Sequence, residues 1–548
     1  MRKYIHTIQS QVLDKVVENY IDYVCNPFNE WRQEIVPTMS GIIINNGEGI
    51  KAMPLDDENE NLPKPRYNIA RAHVIAIADI MYRCHLNANE DNNGFFTVSS
   101  RFLKAASNNY KYILDTLFRM RIIDMSKSTV EGRKQRTVYS IIKEQVFHPQ
   151  LAESLNKDTR KIVESLEDYY QVMRQKRFEE FTRMLPQQFI ERYNKCLSKL
   201  MISSKEATDY INTTYTDKED IPSKQARLRT IQKLSSSDFI NEIRSIDNNG
   251  RIYHIGTELQ RDLKQFTNIE FSIDCKNSHP FLFTYVLIYY IIKGELDIKE
   301  KFEDKEYHYL LLDLMSYLID NKGYYNHYMF SNFMRKKLEN SKLLKAKRAK
   351  ILNFVERLNG VEDDVWRYVY DVAQGQLWDM FVEAFEENRT TVKQNVFASV
   401  MYSYYSPRKR TKKEENSKWV EMFRNLYPTV FKLIDEIKES LHNQCREKGA
   451  VEELKTPHVV CLGIFRLEYK DKDAIMLSHM LMRLESKIFT EILRKLFNKR
   501  IVCFGIHDAV AVIQSKLSVD DVMSLMTDVY ADYGLIPTLS VDYYSHGE

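Results

Sequence analysis

Residues 501–514, IVCFGIHDAVAVIQ, decide how the second half of this chain is interpreted. Two apolar runs flank His507 and Asp508, and short apolar runs bounded by polar residues are typical of buried β-strands. Two interpretations of the polar pair are open. It is either a hairpin turn that happens to contain His-Asp, or a place where a rigid sheet holds a carboxylate for metal binding.

The composition is that of an ordinary globular protein. Of the 548 residues, 44% are apolar and 28% are charged, and a chain of this length is expected to form roughly two to four domains. The longest apolar run, residues 280–292, is shorter than the about 20 residues of a membrane-spanning helix, and we predict that it forms a buried helix. The N-terminus lacks the apolar core of a secretion signal, and the seven cysteines form no C-x-x-C pair. We therefore expect an intracellular, cytoplasmic protein without contact to a membrane.

Positive charge is concentrated in three runs although the net charge is only +3. The runs are RKQR (133–136), KLLKAKRAK (342–350) and SPRKRTKK (406–413). Each run alone is typical of a solvated surface, but three together favour a polyanionic partner, because clustered Lys and Arg release counterions from phosphates. The 34 tyrosines would supply stacking surfaces for bases, although core packing uses tyrosine equally well.

Residues 1–66 are interpreted as an N-terminal helical segment and a linker, and residues 67–148 as a small domain. The patterns at 71–86, 99–107 and 108–120 predict three helices, and 122–143 predicts two strands joined by a basic turn. Helix, helix, helix, hairpin is the order of a winged-helix DNA-binding domain. The side chains expected to contact nucleic acid are Lys111, Arg133, Lys134 and Arg136. The alternative is a helical bundle whose hairpin binds protein.

Two aspartates in the second half follow apolar runs. Asp274 ends the run IEFSID (269–274), and Asp508 stands between the two runs of 501–514. Magnesium prefers one or two carboxylates together with substrate phosphates, and two such ions support in-line phosphoryl transfer. Alone, an aspartate at a strand end is usually a turn residue.

A basic helix is predicted between these aspartates, at 388–406. Arg389 and Lys393 are four residues apart and share one face, and Phe397 and Met401 continue the stripe. Two cations on one face suit a triphosphate, which Arg can bind in bidentate fashion. A solvated helix face is the plain alternative.

The order of these motifs resembles the superfamily of family A DNA polymerases and bacteriophage-type single-subunit RNA polymerases. SIDCKNSHP (272–280) is similar to motif A, RTTVKQNVF (389–397) to motif B, and GIHDAVAV (505–512) to motif C. The likeness covers residues 245–548. It implies a predominantly helical α+β protein with the right-hand fold of palm, fingers and thumb and an antiparallel palm sheet. The implied parts are a thumb at 149–245, palm at 246–294, fingers at 295–455 and palm at 456–548.

The resemblance implies a role for each matching residue. Asp274 and Asp508 would hold two Mg²⁺ ions, for which Mn²⁺ can substitute, with the carbonyl of Cys275 as a further ligand. Arg389 and Lys393 would act on the triphosphate, and His507 would lie at the primer terminus. Further contacts would come from Phe397, Tyr402 and His279 to the nucleotide, and from Arg251 to the template–product duplex.

Three positions depart from the family pattern. Ala509 follows the second aspartate, where DNA polymerases have Glu and RNA polymerases have Ser. The fingers helix of both groups has Tyr-Gly eight and nine residues after its lysine, where this chain has Met401 and Tyr402. His279 stands where DNA polymerases have the Glu that excludes the ribose 2′-OH, so deoxynucleotides are favoured. DNNGRIY (247–253), however, resembles the RNA polymerases.

The sequence therefore predicts a template-directed nucleotidyltransferase that uses a DNA template, a primer or product strand and nucleoside triphosphates. We expect a DNA polymerase without a proofreading domain that replicates a phage, plasmid or other mobile element. A single-subunit RNA polymerase or primase is the first alternative. The second is a non-catalytic DNA-binding replication initiator whose polymerase-like half is degenerate.

Overall fold

The computed structural model shows a predominantly helical chain with small antiparallel sheets, which confirms the predicted α+β class. The predicted linker at 52–66, the basic run at 406–413, and Arg133 and Lys134 lie outside the residues that the structure describes. The described residues are 4–25, 67–86, 96–128, 136–142, 147–151, 157–216, 221–236, 241–294, 305–402, 418–449, 458–462, 465–469 and 477–544.

The chain forms two compact units. The first comprises Met1–Arg183 and Met201–Ile240, and the second comprises Met184–Leu200 and Asn241–Glu548. The helices predicted at 149–245 are present but are divided between the units, and their interpretation as a thumb stays a prediction. The elements up to residue 240 are β1 Tyr4–Ile8, α1 Ser10–Cys25, α2 Tyr67–Leu86, α3 Ser100–Ala106, α4 Tyr110–Arg119, β2 Ile123–Ser128, β3 Arg136–Ile141, β4 Phe147–Leu151, α5 Lys157–Thr182, α6 Gln187–Leu197, α7 Ser204–Thr214 and α8 Ile221–Ser235.

The first unit is built around α2, whose apolar stripe is buried. The predicted order of three helices and a hairpin is present as α2, α3, α4 and the β2–β3 pair. The Ser99 side chain caps α3 by accepting a hydrogen bond from the Arg101 N–H at 3.3 Å. Phe96 and Tyr139 exchange two backbone hydrogen bonds of 2.8 Å, an isolated β-bridge at the edge of the two-stranded hairpin.

The second unit contains the remaining elements. They are β5 Ser245–Ile246, β6 Ile252–Tyr253, β7 Phe271–Cys275, α9 Ser278–Lys293, α10 Lys305–Asp320, α11 His327–Glu339, α12 Lys345–Glu356, α13 Asp363–Ala373, α14 Leu377–Phe385, α15 Arg389–Val396, α16 Lys418–Leu426, α17 Pro428–Gly449, β8 His458–Leu462, β9 Phe465–Tyr469, α18 Leu477–Asn498, β10 Val502–Ile506, β11 Ala509–Gln514, α19 Val519–Asp532 and β12 Leu539–Tyr543.

A four-stranded antiparallel sheet in the order β10–β11–β7–β12 organises this unit. Residues 501–514 form the β10–β11 hairpin, so His507 and Asp508 are the turn between two paired strands. One face of the sheet is apolar and buried, with Ile273, Cys275, Val510 and Val512 close to fully inaccessible. The other face carries Asp274. Alternation of side chains along β7 therefore places Asp274 on the face opposite Ile273 and Cys275.

The helix that follows β7 is buried on nearly all sides. The run predicted at 280–292 as a buried helix forms α9, whose residues 278–289 are all buried. The helix starts directly after the turn that follows β7, so burial of α9 fixes the end of that strand. Among the described helices, none has the length and apolar character needed to cross a bilayer.

Candidate functional site

Pairing between β7 and β11 brings the two predicted aspartates together. Ala509 is the partner of Asp274 across the strands, so Asp508 lies one residue beyond that pair. The Cys275 N–H donates a 3.1 Å hydrogen bond to the backbone carbonyl of Asp508. The two carboxylates thus come from the ends of adjacent, hydrogen-bonded strands, although 233 residues separate them in the sequence.

The two carboxyl groups are electrostatically linked. Burial, followed by the charge of Asp508, raises the pKa of Asp274 to about 7. Burial, followed by the charge of Glu485, raises the pKa of Asp508 to about 6. Like charges in a low-dielectric place oppose each other's ionisation, so a nearby cation would stabilise both carboxylates.

The hairpin turn that presents Asp508 has an unusual backbone. His507 adopts φ = +54°, a left-handed conformation that costs energy for a residue with a Cβ. Its ring is exposed and lies edge-on to Tyr253, with 6.0 Å between the ring centroids. A two-residue hairpin connection demands such a φ, and the flanking strands hold it in place.

The structure separates the two cations of the predicted basic helix. The ammonium charge of Lys393 lowers the pKa of both Asp274 and Asp508, so Lys393 lies within electrostatic reach of the pair. Arg389 instead donates to Asp379 at 3.0 Å and to the Gly375 carbonyl at 3.2 Å, on the segment before α15. Of the two cations, Lys393 is the one brought to the carboxylates.

A π-helical turn, Phe397–Met401, follows α15, so the expected regular stripe through Phe397 and Met401 is not formed. The Tyr402 N–H donates to the Phe397 carbonyl at 2.7 Å, a bond over five residues instead of four. A π turn inserts one extra residue into a helical face, and such turns are frequent at functional sites. As a result Met401 is buried, and the Tyr402 ring stacks on Phe397 with centroids 5.1 Å apart and planes 18° apart.

The register shift bears directly on the tyrosine that the family pattern places at position 401. An inserted residue moves the side chain at 402 to the position that residue 401 would occupy in a regular α-helix. Tyr402 makes a short hydrogen bond between its hydroxyl and Nδ1 of His279. The Lys438 ammonium, buried on α17, donates to the Val400 carbonyl at 2.5 Å and so binds a carbonyl of the π turn.

Beneath His279 lies a buried charge network. Glu485 on α18 is 2% exposed, and its carboxylate contacts Nε2 of His279 at 2.6 Å and Nη2 of Arg251 at 3.0 Å. Burial opposes ionisation of Glu485, but the hydrogen bond and charge of His279, together with Arg251, hold its pKa below the usual value. Arg251 is therefore held by Glu485 and His279 in the structure.

The two carboxylates fit the predicted metal. Among the described residues, no cluster of three or more His, Cys, Asp and Glu side chains is arranged to hold an ion. Magnesium does not need such a cluster, since one or two carboxylates plus phosphate and water oxygens satisfy it. The pKa values of Asp274 and Asp508 are both raised, and a divalent cation bound to the two carboxylates would favour their ionised forms.

The predicted nucleic-acid contacts of the first unit are described only in part. Lys111 is exposed on α4, while its neighbours Tyr110 and Ile113 are buried. Arg136 begins β3, and the turn that contains Arg133 and Lys134 lies outside the described residues.

Glu485 and Lys438 are site residues that the sequence did not single out. Glu485 lies in the amphipathic pattern of α18, where the apolar neighbours Leu481 and Leu484 mark the buried face. A carboxylate on that face is a usable signal, because buried charges are rare unless they are paired. Lys438 is likewise a charged residue on the buried face of its helix, α17.

The description of the candidate site rests on the sequence and the structure of this chain. Neither a comparison with protein-family models nor a search of curated proteins finds a match for this chain.

Proposed function

We propose that this protein is a template-directed nucleic-acid polymerase that transfers nucleotides from nucleoside triphosphates to a 3′-hydroxyl. The observation that carries the proposal is the pairing of β7 with β11, which sets Asp274 and Asp508 on neighbouring strand ends. A sheet is rigid enough to hold two carboxylates at the spacing that a metal pair requires. The motif order in the sequence supplies the reaction class.

In this proposal Asp274 and Asp508 hold Mg²⁺. When bound, the ions would offset the charge of the attacking and leaving oxygens. Lys393 brings a positive charge to the same place, so it is suited to neutralise the triphosphate as pyrophosphate leaves. The protein's own contribution is thus to fix the carboxylates in the sheet and to align the phosphates against Lys393.

We propose deoxynucleotides as the substrate, on the arrangement around His279. The Tyr402 hydroxyl bonds to this imidazole, and the Phe397 ring lies edge-on to it at 6.0 Å. Glu485 fixes the opposite side of the ring. A bulky group held in this way would crowd a ribose 2′-OH, which supports DNA synthesis over RNA synthesis. The register shift supports Tyr402 as the residue that faces the nucleotide.

We further propose that residues 67–148 bind duplex DNA as a winged helix. Support comes from the order α2, α3, α4, β2, β3 and from the bridge between Phe96 and Tyr139, which joins the segment before α3 to the hairpin. Such a domain would recruit the polymerase to a particular DNA, as replication of a phage, plasmid or other mobile element requires. Lys111 would contact the DNA from α4.

Primer extension with Mg²⁺ tests the proposal. The full chain is given primed single-stranded DNA with labelled dNTPs or with labelled NTPs. We expect extension with dNTPs, and none when Mg²⁺ is chelated. Products made only from NTPs would reassign the protein as an RNA polymerase or primase. Absence of product from either nucleotide set, on primed and unprimed templates, would favour the non-catalytic DNA-binding initiator.

A further inference from the structure

The exposed face of α11 combines aromatic and basic side chains. Tyr328 is 75% exposed, and Met329 and Phe333 also face solvent. Met329, Phe333 and Lys336 recur at helical spacing along one side, Tyr328 lies beside Met329 in the first turn, and Tyr324 in the preceding turn is 64% exposed. We call these five residues the α11 face.

The fold of α11 does not depend on this face. The helix has a separate buried side, formed by Phe330, Ser331, Met334 and Leu338. Large apolar side chains on the opposite side are therefore in excess of what packing requires. A contiguous group of exposed aromatic residues is typical of a binding surface.

Phe333 and, shortly before the helix, Tyr325 pack on buried aromatic rings. Phe333 lies 6.2 Å from Phe330 and 6.4 Å from Tyr317 between ring centroids, and Tyr325 stacks on Trp366 at 4.1 Å. The Asn326 side chain caps the helix by accepting from the Met329 N–H at 3.0 Å. The Phe333 ring is held in this way, so it would lose little entropy when a ligand stacks on it.

The surrounding charge is strongly positive. Residues 321–350 contain nine Lys and Arg residues and a single acidic residue, Glu339. Some of the cations are paired, as Arg335 is with Glu356 and Lys347 is with Glu306. Among the described residues, Lys336, Lys342 and Lys345 form no ion pair with an acidic side chain, and all three are exposed.

We propose that the α11 face, with Lys342 and Lys345, binds single-stranded nucleic acid. Bases would stack on Tyr324, Tyr328 and Phe333 while the lysines neutralise the backbone, the combination that sequence-independent single-strand binding uses. A protein partner fits less well, because lysine is depleted from protein–protein interfaces. The inference goes beyond nucleotidyl transfer, since α11 and α12 contribute none of the residues of the candidate site.

Binding of a fluorescein-labelled oligothymidylate of about 20 nucleotides to the full chain tests this inference by anisotropy. The assay contains EDTA and no nucleoside triphosphate, so its result does not depend on catalysis. The same assay is run with oligouridylate and with a DNA duplex of equal length. The first comparison shows whether DNA or RNA binds more tightly, and the second shows whether single or double strands do. Strands substituted with 4-thiothymidine report the contact site by photocrosslinking, and we expect crosslinks within residues 321–350.

The double variant Tyr328→Ala/Phe333→Ala should bind the oligonucleotide at least about fivefold more weakly, because each lost stacking contact is worth that much or more. Tyr328→Phe should retain binding, since the ring remains. Lys342→Gln/Lys345→Gln should reduce the slope of log Kd against log salt by about 1.4. Lys499→Gln, an exposed lysine at the end of α18, is the matched control and should change nothing.

Two results would overturn the inference. One is unchanged oligonucleotide affinity in the two double variants, with thermal unfolding as in wild type. The other is crosslinking confined to residues outside 321–350. If the aromatic variant instead abolishes self-association in sedimentation without affecting oligonucleotide binding, the α11 face is a protein-docking surface. None of these results bears on the proposed nucleotidyl transfer, which primer extension tests separately.

Discussion

The backbone N–H of Cys275 donates to the backbone carbonyl of Asp508 at 3.1 Å. This hydrogen bond joins the end of β7 to the residue that precedes β11, next to both aspartates. The neighbouring pair, Asp274 and Ala509, sets the register. A shift by one residue would turn the carboxylate of Asp274 into the apolar core, so the sheet pairing fixes the site.

Stability in EDTA should fall as pH rises. Both aspartates have folded-state pKa values, about 7 and about 6, above the ordinary 3.8. The folded state therefore binds protons more tightly than the unfolded state, and this contribution is complete below about pH 4. It is lost as pH rises through 6 and 7.

Thermal unfolding from pH 5 to pH 8 measures this loss. The Tm of wild type should fall relative to that of Asp274→Asn by about 2–5 °C over this range. Mg²⁺ at pH 8 should raise the Tm of wild type more than that of the variant. If the Tm of wild type and that of Asp274→Asn changed equally with pH, the raised pKa of Asp274 would be contradicted.

Lys393 and Arg389 should differ in their effect on catalysis. Because Lys393 acts on both carboxylates while Arg389 is paired with Asp379, Lys393→Ala should lower kcat at least about tenfold more than Arg389→Ala. Single-turnover incorporation at saturating nucleotide measures the difference. A larger loss for Arg389→Ala would mean that Arg389 leaves Asp379 to bind the triphosphate.

The buried network should be more important for stability than a surface pair on the same helix. Glu485→Ala removes the partner of both Arg251 and His279, and breaking a buried pair costs about 3–5 kcal/mol. Glu491→Ala, which removes the half-buried partner of the exposed Arg494, should cost about 0–1 kcal/mol. Urea unfolding measures the free energy of unfolding of both variants. Equal losses would contradict a stabilising role of the buried network.

His279 should control the choice of sugar. His279→Gly removes the imidazole that Tyr402 and Glu485 hold, so the preference for dNTPs over NTPs should fall at least about tenfold, as judged by kcat/KM. Tyr402→Phe keeps the ring stacked on Phe397 but loses the hydroxyl, and a smaller change is expected. If ribonucleotide use is unaltered in His279→Gly, another group sets the selectivity.

Sequence patterns predicted the helical class, the β10–β11 hairpin, strand β7 ending near Asp274 and the buried helix α9. These follow from apolar periodicity and turn residues, which act locally. The pairing of Arg389 with Asp379 and the network under His279 join residues far apart in the chain, so local patterns do not show them. The π turn at 397–401 is also hidden, because it depends on packing around Val400 and Lys438.

The central claim is that Asp274 and Asp508 form one catalytic pair, and single-nucleotide incorporation on a primed DNA template tests it most directly. Wild type is compared with Asp274→Asn, Asp508→Asn and Asp528→Asn, the last changing an exposed aspartate on α19. We expect each of the first two variants to lose at least about a thousandfold in rate while Asp528→Asn stays within about tenfold of wild type. Incorporation at near wild-type rate by Asp274→Asn or Asp508→Asn would contradict the account.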